Sequence, residues 1–308
     1  MDSGGAGEVE VDEFASARLV GAVRRGLAEA GIATAAPRAT GALLPLAAKR
    51  RYLSEVAAAH GLLPLARAGS VLREMAADPA VAALSLASAP AELLERWRRL
   101  ERFTHSRHHV VVRHSDSGQL ALKHAGPPGT PPDPAEDAVV LGVLVALLGV
   151  IGVRDLTVAV GPDEVVVFTG DEFVAAPLVV GSGLWLFTWS GTTPREPVVA
   201  AADQSDAVTE VRRLVAADLG KRWSLDEIAA VVGTSKRTLQ RGLREAGGFQ
   251  ELVGAARTEA AAALLLAGGH PLSTVGFACG YADQPHFTRD FTRRTAMSPA
   301  TYRQSFSP

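Results

Sequence analysis

The feature that most restricts how this chain can fold is a short pattern that occurs twice in its last hundred residues. Ser224-Leu225-Asp226-Glu227 has the form of a capping box, in which a hydroxyl accepts from the amide three residues on and the glutamate reaches back. Ile228, Ala229 and Val232 supply the inward face of a short helix, and Gly233 ends it, because glycine tolerates the left-handed backbone of a tight turn. Ser235 caps a second helix, expected over Lys236–Ala246, whose Leu239 and Leu243 stand i, i+4 toward the same core. About 47 residues on, Val275, Gly276 and Gly280 take the places of Ile228, Ala229 and Gly233. Tyr281-Ala282 makes a turn one residue longer, Asp283 is the cap, and Phe287 and Phe291 repeat the leucine spacing. Between the copies, Phe249–Ala267 places Phe249, Leu252, Val253, Ala256, Ala260 and Leu264 at helical spacing, so one long helix should separate them.

The faces left over after the cores are assigned carry long hydrogen-bond donors. They are Lys236, Arg237, Gln240, Arg241 and Arg244 in the first copy, and Gln284, His286, Thr288, Arg289 and Arg293 in the second. Arg and Gln bond bidentately to guanine and adenine edges, and a helix presented across a glycine turn suits the major groove. Two such helices roughly 34 Å apart would enter successive grooves on one side of a duplex. A single basic helix face is as readily a solvated surface. The duplication and the spacing helix favour nucleic acid.

On these residues, Asp206–Phe306 resembles the DNA-binding domain of the AraC/XylS family of transcription regulators, with two helix-turn-helix units. The resemblance also draws on Thr234-Ser235-Lys236-Arg237-Thr238-Leu239-Gln240-Arg241, on Arg257, on Gly280-Tyr281-Ala282-Asp283-Gln284, on Phe287-Thr288-Arg289 and on Ser298-Pro299 with Tyr302-Arg303. It implies base reading by Arg237, Gln240, Arg241, Gln284 and Arg289, and backbone positioning by Thr238 and Arg293, with Lys236 and His286 on the same DNA-binding surface. Four positions depart from the family pattern: Pro271 at a capping site, Gly242 inside the first recognition helix, Pro285 near the start of the second, and Ala296 where glycine is usual.

The remaining two thirds of the chain bound the answer more loosely. A length of 308 residues suggests two domains. The boundary is expected in the Pro194- and Pro197-bearing stretch Thr192–Ser205, giving domains 1–200 and 205–308. From Ser205 onward there are 13 basic against 10 acidic side chains, whereas the earlier part is acidic. Cys279 is the only cysteine, on the buried side of its helix, which excludes an internal disulfide and thiolate-built zinc fingers. With four lysines against 27 arginines and abundant Ala, Gly and Val, the composition suggests a GC-rich bacterial genome. The acidic, Gly-rich Met1–Val11 lacks the form of a secretory signal, and the apolar run Ala138–Val153 is too short to span a bilayer. A cytoplasmic protein with no membrane partner is expected.

Periodicity predicts an α+β N-terminal domain followed by an all-α C-terminal one. Helices are expected over Glu13–Ile32, Lys49–His60, Ala66–Ala77, Pro90–Phe103 and Ala138–Val153. Strands are expected at Val110–Val112, Leu120–Lys123, Leu156–Val160, Glu164–Phe168 and Leu184–Trp189. This part weakly resembles the sensor domain of one branch of the same family. That resemblance implies a small-molecule effector or a homodimer, with Ala138–Val153 as a candidate for either role. His105, His108, His109 and His114 have the look of a metal cluster, but on a continuous strand His108 and His114 share a face while His109 points away. No thiol or firm carboxylate pattern completes a site, so packing or surface roles and no metal are expected. Trp97, Trp185 and Trp189 are candidates to line a ligand cavity, but core packing is the expectation for each. Neither a phosphate loop nor a nucleophile, base and acid constellation appears, so no enzyme and no cofactor are expected. The reading is a sequence-specific regulator of double-stranded promoter DNA, contacting RNA polymerase if an activator. The alternative is an enzyme-like or ligand-free dimerisation module fused to the same DNA-binding domain.

Overall fold

The computed structural model describes residues 13–39, 41–174, 178, 183–193, 207–221, 223–244 and 246–307. Met1–Val11 and most of the expected linker, with Pro194 and Pro197, lie outside the described residues. The N-terminal body opens with β1 (Phe14–Ser16) and α1 (Ala17–Glu29), then β2 (Leu43–Pro45), which pairs antiparallel with β1. Next come α2 (Leu46–His60), α3 (Leu63–Arg67), a 3-10 turn over Ala68–Glu74, α4 (Pro79–Ser85) and α5 (Pro90–Thr104). A hairpin of β3 (His109–Ser115) and β4 (Gln119–Ala125) leads into α6 (Pro134–Val150). The strands β5 (Val153–Arg154), β6 (Thr157–Val160), β7 (Val165–Thr169), β8 (Glu172–Phe173), β9 (Trp185–Thr188) and β10 (Gly191–Thr192) follow. Among the described residues, six of the strands form one antiparallel sheet in the order β3-β4-β9-β6-β7-β8.

α6 is the axis of this body. Asp133 and Glu136 form a capping box around Pro134, which needs no amide in a first turn. From Ala135 to Leu148 every residue is buried, among sheet residues such as Leu122, Trp185 and Phe187 on one side and α3 residues on the other. Gly142 makes this possible, because a Cβ there would lie 2.0 Å from the carbonyl oxygen of Ala66. A helix buried all round has no face to offer a second subunit, so α6 is a core helix and not the dimer surface considered from sequence.

Several element boundaries differ from expectation for local reasons. The first helix begins at Ala17 because Phe14–Ser16 is taken up by pairing with β2, and Ser16 then caps it by accepting from Leu19. The helix expected over Ala66–Ala77 is instead α3 followed by 3-10 winding, which brings the Gly69 backbone against Gly142. A bulge between Val112 and His114 shifts the β3 register, so His108 is buried while His114 is exposed and the two share no face.

The C-terminal part is helical: α7 (Ala207–Ala217), α8 (Leu225–Val232), α9 (Lys236–Gly242), α10 (Phe249–Ala267), α11 (Leu272–Ala278), α12 (Gln284–Thr295) and α13 (Pro299–Phe306). α10 serves two separate cores. Its first half gives Leu252, Val253 and Ala256 to a cluster with Val211, Val215, Ile228, Leu239 and Leu243. Its second half gives Ala261 and Leu265 to a cluster with Val275, Phe287, Phe291, Tyr302 and Phe306, which Ala83 of α4 joins from the N-terminal body. Cys279 is fully buried there, and its burial pushes the thiol up to about 11, which keeps it unreactive.

Candidate nucleic-acid interface

In the first helix pair, Ser224 accepts from the Glu227 amide at 3.2 Å and its own amide donates to Glu227 at 2.9 Å, which fixes where α8 starts. Gly233 ends it at φ +72°, and Ser235 starts α9 by accepting from the Thr238 amide at 3.1 Å. α9 stops at Gly242 instead of Ala246, so this glycine ends the helix and does not interrupt it. Leu239 and Leu243 are each 1% exposed, which turns Arg237, Thr238, Gln240, Arg241 and Arg244 outward. Lys236 is also exposed, but its ammonium bonds Asp226 of α8 at 2.7 Å.

The second pair is built in the same way with larger side chains. Gly276 lets Phe287 pack directly over α11, since a Cβ at that position would sit 3.1 Å from the ring. Gly280 turns at φ +76°, and Asp283 caps α12 by accepting from the His286 amide at 2.6 Å. Phe287 and Phe291 are fully buried and continue an edge-on aromatic series through Tyr302 to Phe306. Gln284, His286 and Arg289 are exposed on the opposite face, with Thr288 partly so. Arg293 is exposed as well, but its guanidinium bonds Asp290 at 2.6 Å and its carbonyl accepts from the Ala42 amide at 2.8 Å.

Sequence reasoning overlooked the residue that fastens α12 to α10. Arg294 is buried and its guanidinium bonds both Asp290 and Glu251, the latter at 3.0 Å. It crosses α10 at Gly254, where a Cβ would lie 2.0 Å from Nη2. The signal was a glycine inside the long helix, readable only once α12 is known to cross it.

The histidines separate into two kinds. His109 and His114 are exposed, whereas His108 and His124 are buried and His105 is partly buried. A carboxylate does approach them, contrary to expectation: Glu136 of α6 lies 3.2 Å from His108 Nδ1, and ligand atoms of His105, His108 and Glu136 fall within 4.8 Å of one another. Lys49 Nζ already stands between, 3.0 Å from Glu136 and 3.1 Å from His105 Nε2. His105 Nδ1 accepts from the His108 amide at 3.2 Å, while its Nε2 faces the lysine nitrogen. Burial lowers the Lys49 pKa, and the Glu136 carboxylate beside it opposes that shift. Burial also pushes His105 down to about 3. The cluster is a buried polar group in which Lys49 and Arg50 pair with the Glu136 carboxylate, one of whose oxygens, Oε1, has no hydrogen-bond partner among the described residues.

With both helix pairs in place, comparison with known proteins becomes informative. Residues 228–305 match the family described as a helix-turn-helix domain. The match takes in α9 to α12 together with most of α8 and α13. Over 112 residues the chain is 31% identical to the ornithine utilization regulator of Pseudomonas aeruginosa, covering 36% of this chain and 33% of that one. It thus spans about a third of the length of that regulator. An AraC-type transcriptional regulator structure from Chromobacterium violaceum matches at 28% identity, over 33% of this chain and 94% of that chain, with a TM-score of 0.31. A DNA-binding transcriptional dual regulator from Escherichia coli K-12 matches at 25% identity, over 33% and 98% respectively, with a TM-score of 0.32. No helix among the described residues is long and apolar enough to cross a membrane.

Proposed function

We propose that the chain is a sequence-specific transcription regulator that reads promoter DNA with α9 and α12. The observation that carries this reading is the repeated two-sided helix: Leu239 and Leu243, then Phe287 and Phe291, are buried while Arg237, Gln240, Arg241, Gln284 and Arg289 face outward. α10 is the spacer. At ~1.5 Å per residue its 19 residues extend about 28 Å, comparable with but shorter than the roughly 34 Å repeat of the duplex. Lys236, Thr238, His286 and Arg293 take the flanking phosphate contacts, Lys236 and Arg293 exchanging their carboxylate partners for phosphate oxygens.

Residues 1–200 act on this domain, 205–308, through the second unit. Tyr302 donates to the Pro79 carbonyl, Arg96 to the Phe306 carbonyl at 2.9 Å, and Arg18 to the Arg294 carbonyl at 2.9 Å. An N-terminal body held to α12 and α13 in this way is suited to altering how the second reader sits relative to the first, in response to a small effector. The protein acts in the cytoplasm, where its DNA is.

The test is genome-wide binding of the wild type beside Arg237→Ala and Arg289→Ala. Each substitution should cost about 1 to 3 kcal/mol at its own half of the site and relax preference there. Retention of the wild-type site preference by both variants would show that the bases are read elsewhere.

A further inference from the structure

A cleft of about 470 Å³ opens between the last turns of α5 and the start of β3. Arg98 and Arg102, one turn apart on α5, stand at its wall, and both are exposed. Neither forms an ion pair among the described residues. The neighbouring arginines differ: Arg99 is engaged by the Ser305 carbonyl and lies near Glu95, and Arg107 is paired with Glu13. The buried side of the cleft is polar too. His105 and His108 line it and lead back to the Lys49 and Glu136 cluster, while Glu101 accepts from the Val110 amide at 3.2 Å. Burial pushes the Glu101 carboxyl up to about 8, which lessens the negative charge it sets against the two arginines, and Glu95 on the same wall lies near Arg99.

We infer that this cleft binds a small molecule bearing an anionic oxygen group, a carboxylate or a phosphate, clamped by the Arg98 and Arg102 guanidiniums. Guanidinium forks match both groups bidentately, and the cleft has the size usual for small-molecule sites. The same helix touches the DNA-binding part, since Arg96 and Arg99, the latter also on the cleft wall, hold the Phe306 and Ser305 carbonyls at the end of α13. A ligand that draws Arg98 and Arg102 together therefore bears on the element that positions the second reader. This coupling rests on the proposed DNA-binding function, whereas binding itself does not.

The test is calorimetric titration of the full chain with succinate, citrate and inorganic phosphate at constant ionic strength, in the wild type and in an Arg98→Gln/Arg102→Gln double variant. Both positions are exposed, and unchanged circular dichroism and Tm would show that the variant folds. One of the three anions should bind with 1:1 stoichiometry and lose tenfold or more in affinity in the variant; the carboxylate and phosphate arms identify which group is recognised. No binding below millimolar concentration, or binding that the double variant retains, overturns the site. Duplex affinity with and without the binding anion is measured in parallel. A shift in the wild type that the variant lacks supports the coupling, and an unchanged affinity overturns it. Failure to bind duplex under any condition would count against the regulator reading and leave the titration result standing.

Discussion

Tyr302 donates a 2.6 Å hydrogen bond to the carbonyl of Pro79, so the last helix of the DNA-binding part is fastened to the first turn of α4. The phenol is 1% exposed and burial raises its pKa, which keeps it a neutral donor at any physiological pH. Tyr302→Phe preserves the aromatic packing against Phe291 and Phe306 and removes only this bond. The expected loss is about 1 kcal/mol in urea unfolding, with faster amide exchange in α4. Unchanged stability together with unchanged exchange would mean that the contact does not hold the two parts together.

Gly233 and Gly280 end equivalent helices at nearly the same left-handed φ, yet they should not be equally sensitive to substitution. At Gly233 an added Cβ meets open space, so Gly233→Ala carries only backbone strain of about 1 kcal/mol. At Gly280 the Cβ would lie 1.9 Å from the carbonyl oxygen of Leu219, which also accepts from Arg257 at 3.2 Å. Gly280→Ala should therefore cost roughly 2 to 4 kcal/mol. Chemical denaturation of the two variants side by side gives the comparison, and equal losses would contradict it.

The difference between those glycines also shows what the sequence could reveal. Gly233 and Gly280 were recognisable as turns because a capped helix and an i, i+4 apolar pair frame each of them. The Leu219 carbonyl that makes Gly280 irreplaceable comes from an irregular segment some 60 residues earlier, and no periodicity announces it. The same holds for the polar core. His105 and His108 are conspicuous in the sequence, but Lys49 and Glu136, which meet them in the fold, lie on α2 and α6, and no local pattern announces that pairing. Local patterns encode caps, faces and turns, whereas contacts across elements depend on packing that a single residue can redirect. The exposed donors of α9 and α12 were legible because each was defined by exclusion from a local core.

Ala296 closes α12 in the left-handed region at φ +64°, with its amide donating to the Thr292 carbonyl at 2.8 Å. A side chain in that conformation strains the backbone by roughly 1 kcal/mol, partly offset by the greater entropy glycine loses on folding. Ala296→Gly should stabilise the chain by about 0.5 kcal/mol, read as a small rise in Tm. A fall in Tm would indicate that the Ala296 methyl contributes packing that outweighs the strain.

The half-buried Glu101 carboxyl gives a stability effect whose sign can be worked out. Its pKa rises from an ordinary 4.5 to about 8 in the folded chain, chiefly through burial. Below about 4.5 the group is protonated in both folded and unfolded chains, and its favourable burial is fully present. As pH rises from there through about 8, the unfolded chain ionises first, so this contribution declines steadily across that window and then levels off. Glu101→Gln keeps a side chain that can accept from the Val110 amide but cannot ionise. The variant should therefore gain stability relative to wild type as pH is raised from 5 to 8, whatever their difference at pH 5. His105, pushed down to about 3, gives the opposite slope at acid pH, but it is common to both proteins and cancels in the comparison. Thermal melts of the pair across this range provide the measurement. A gap in Tm that stays constant with pH would show that Glu101 ionises normally in the folded chain.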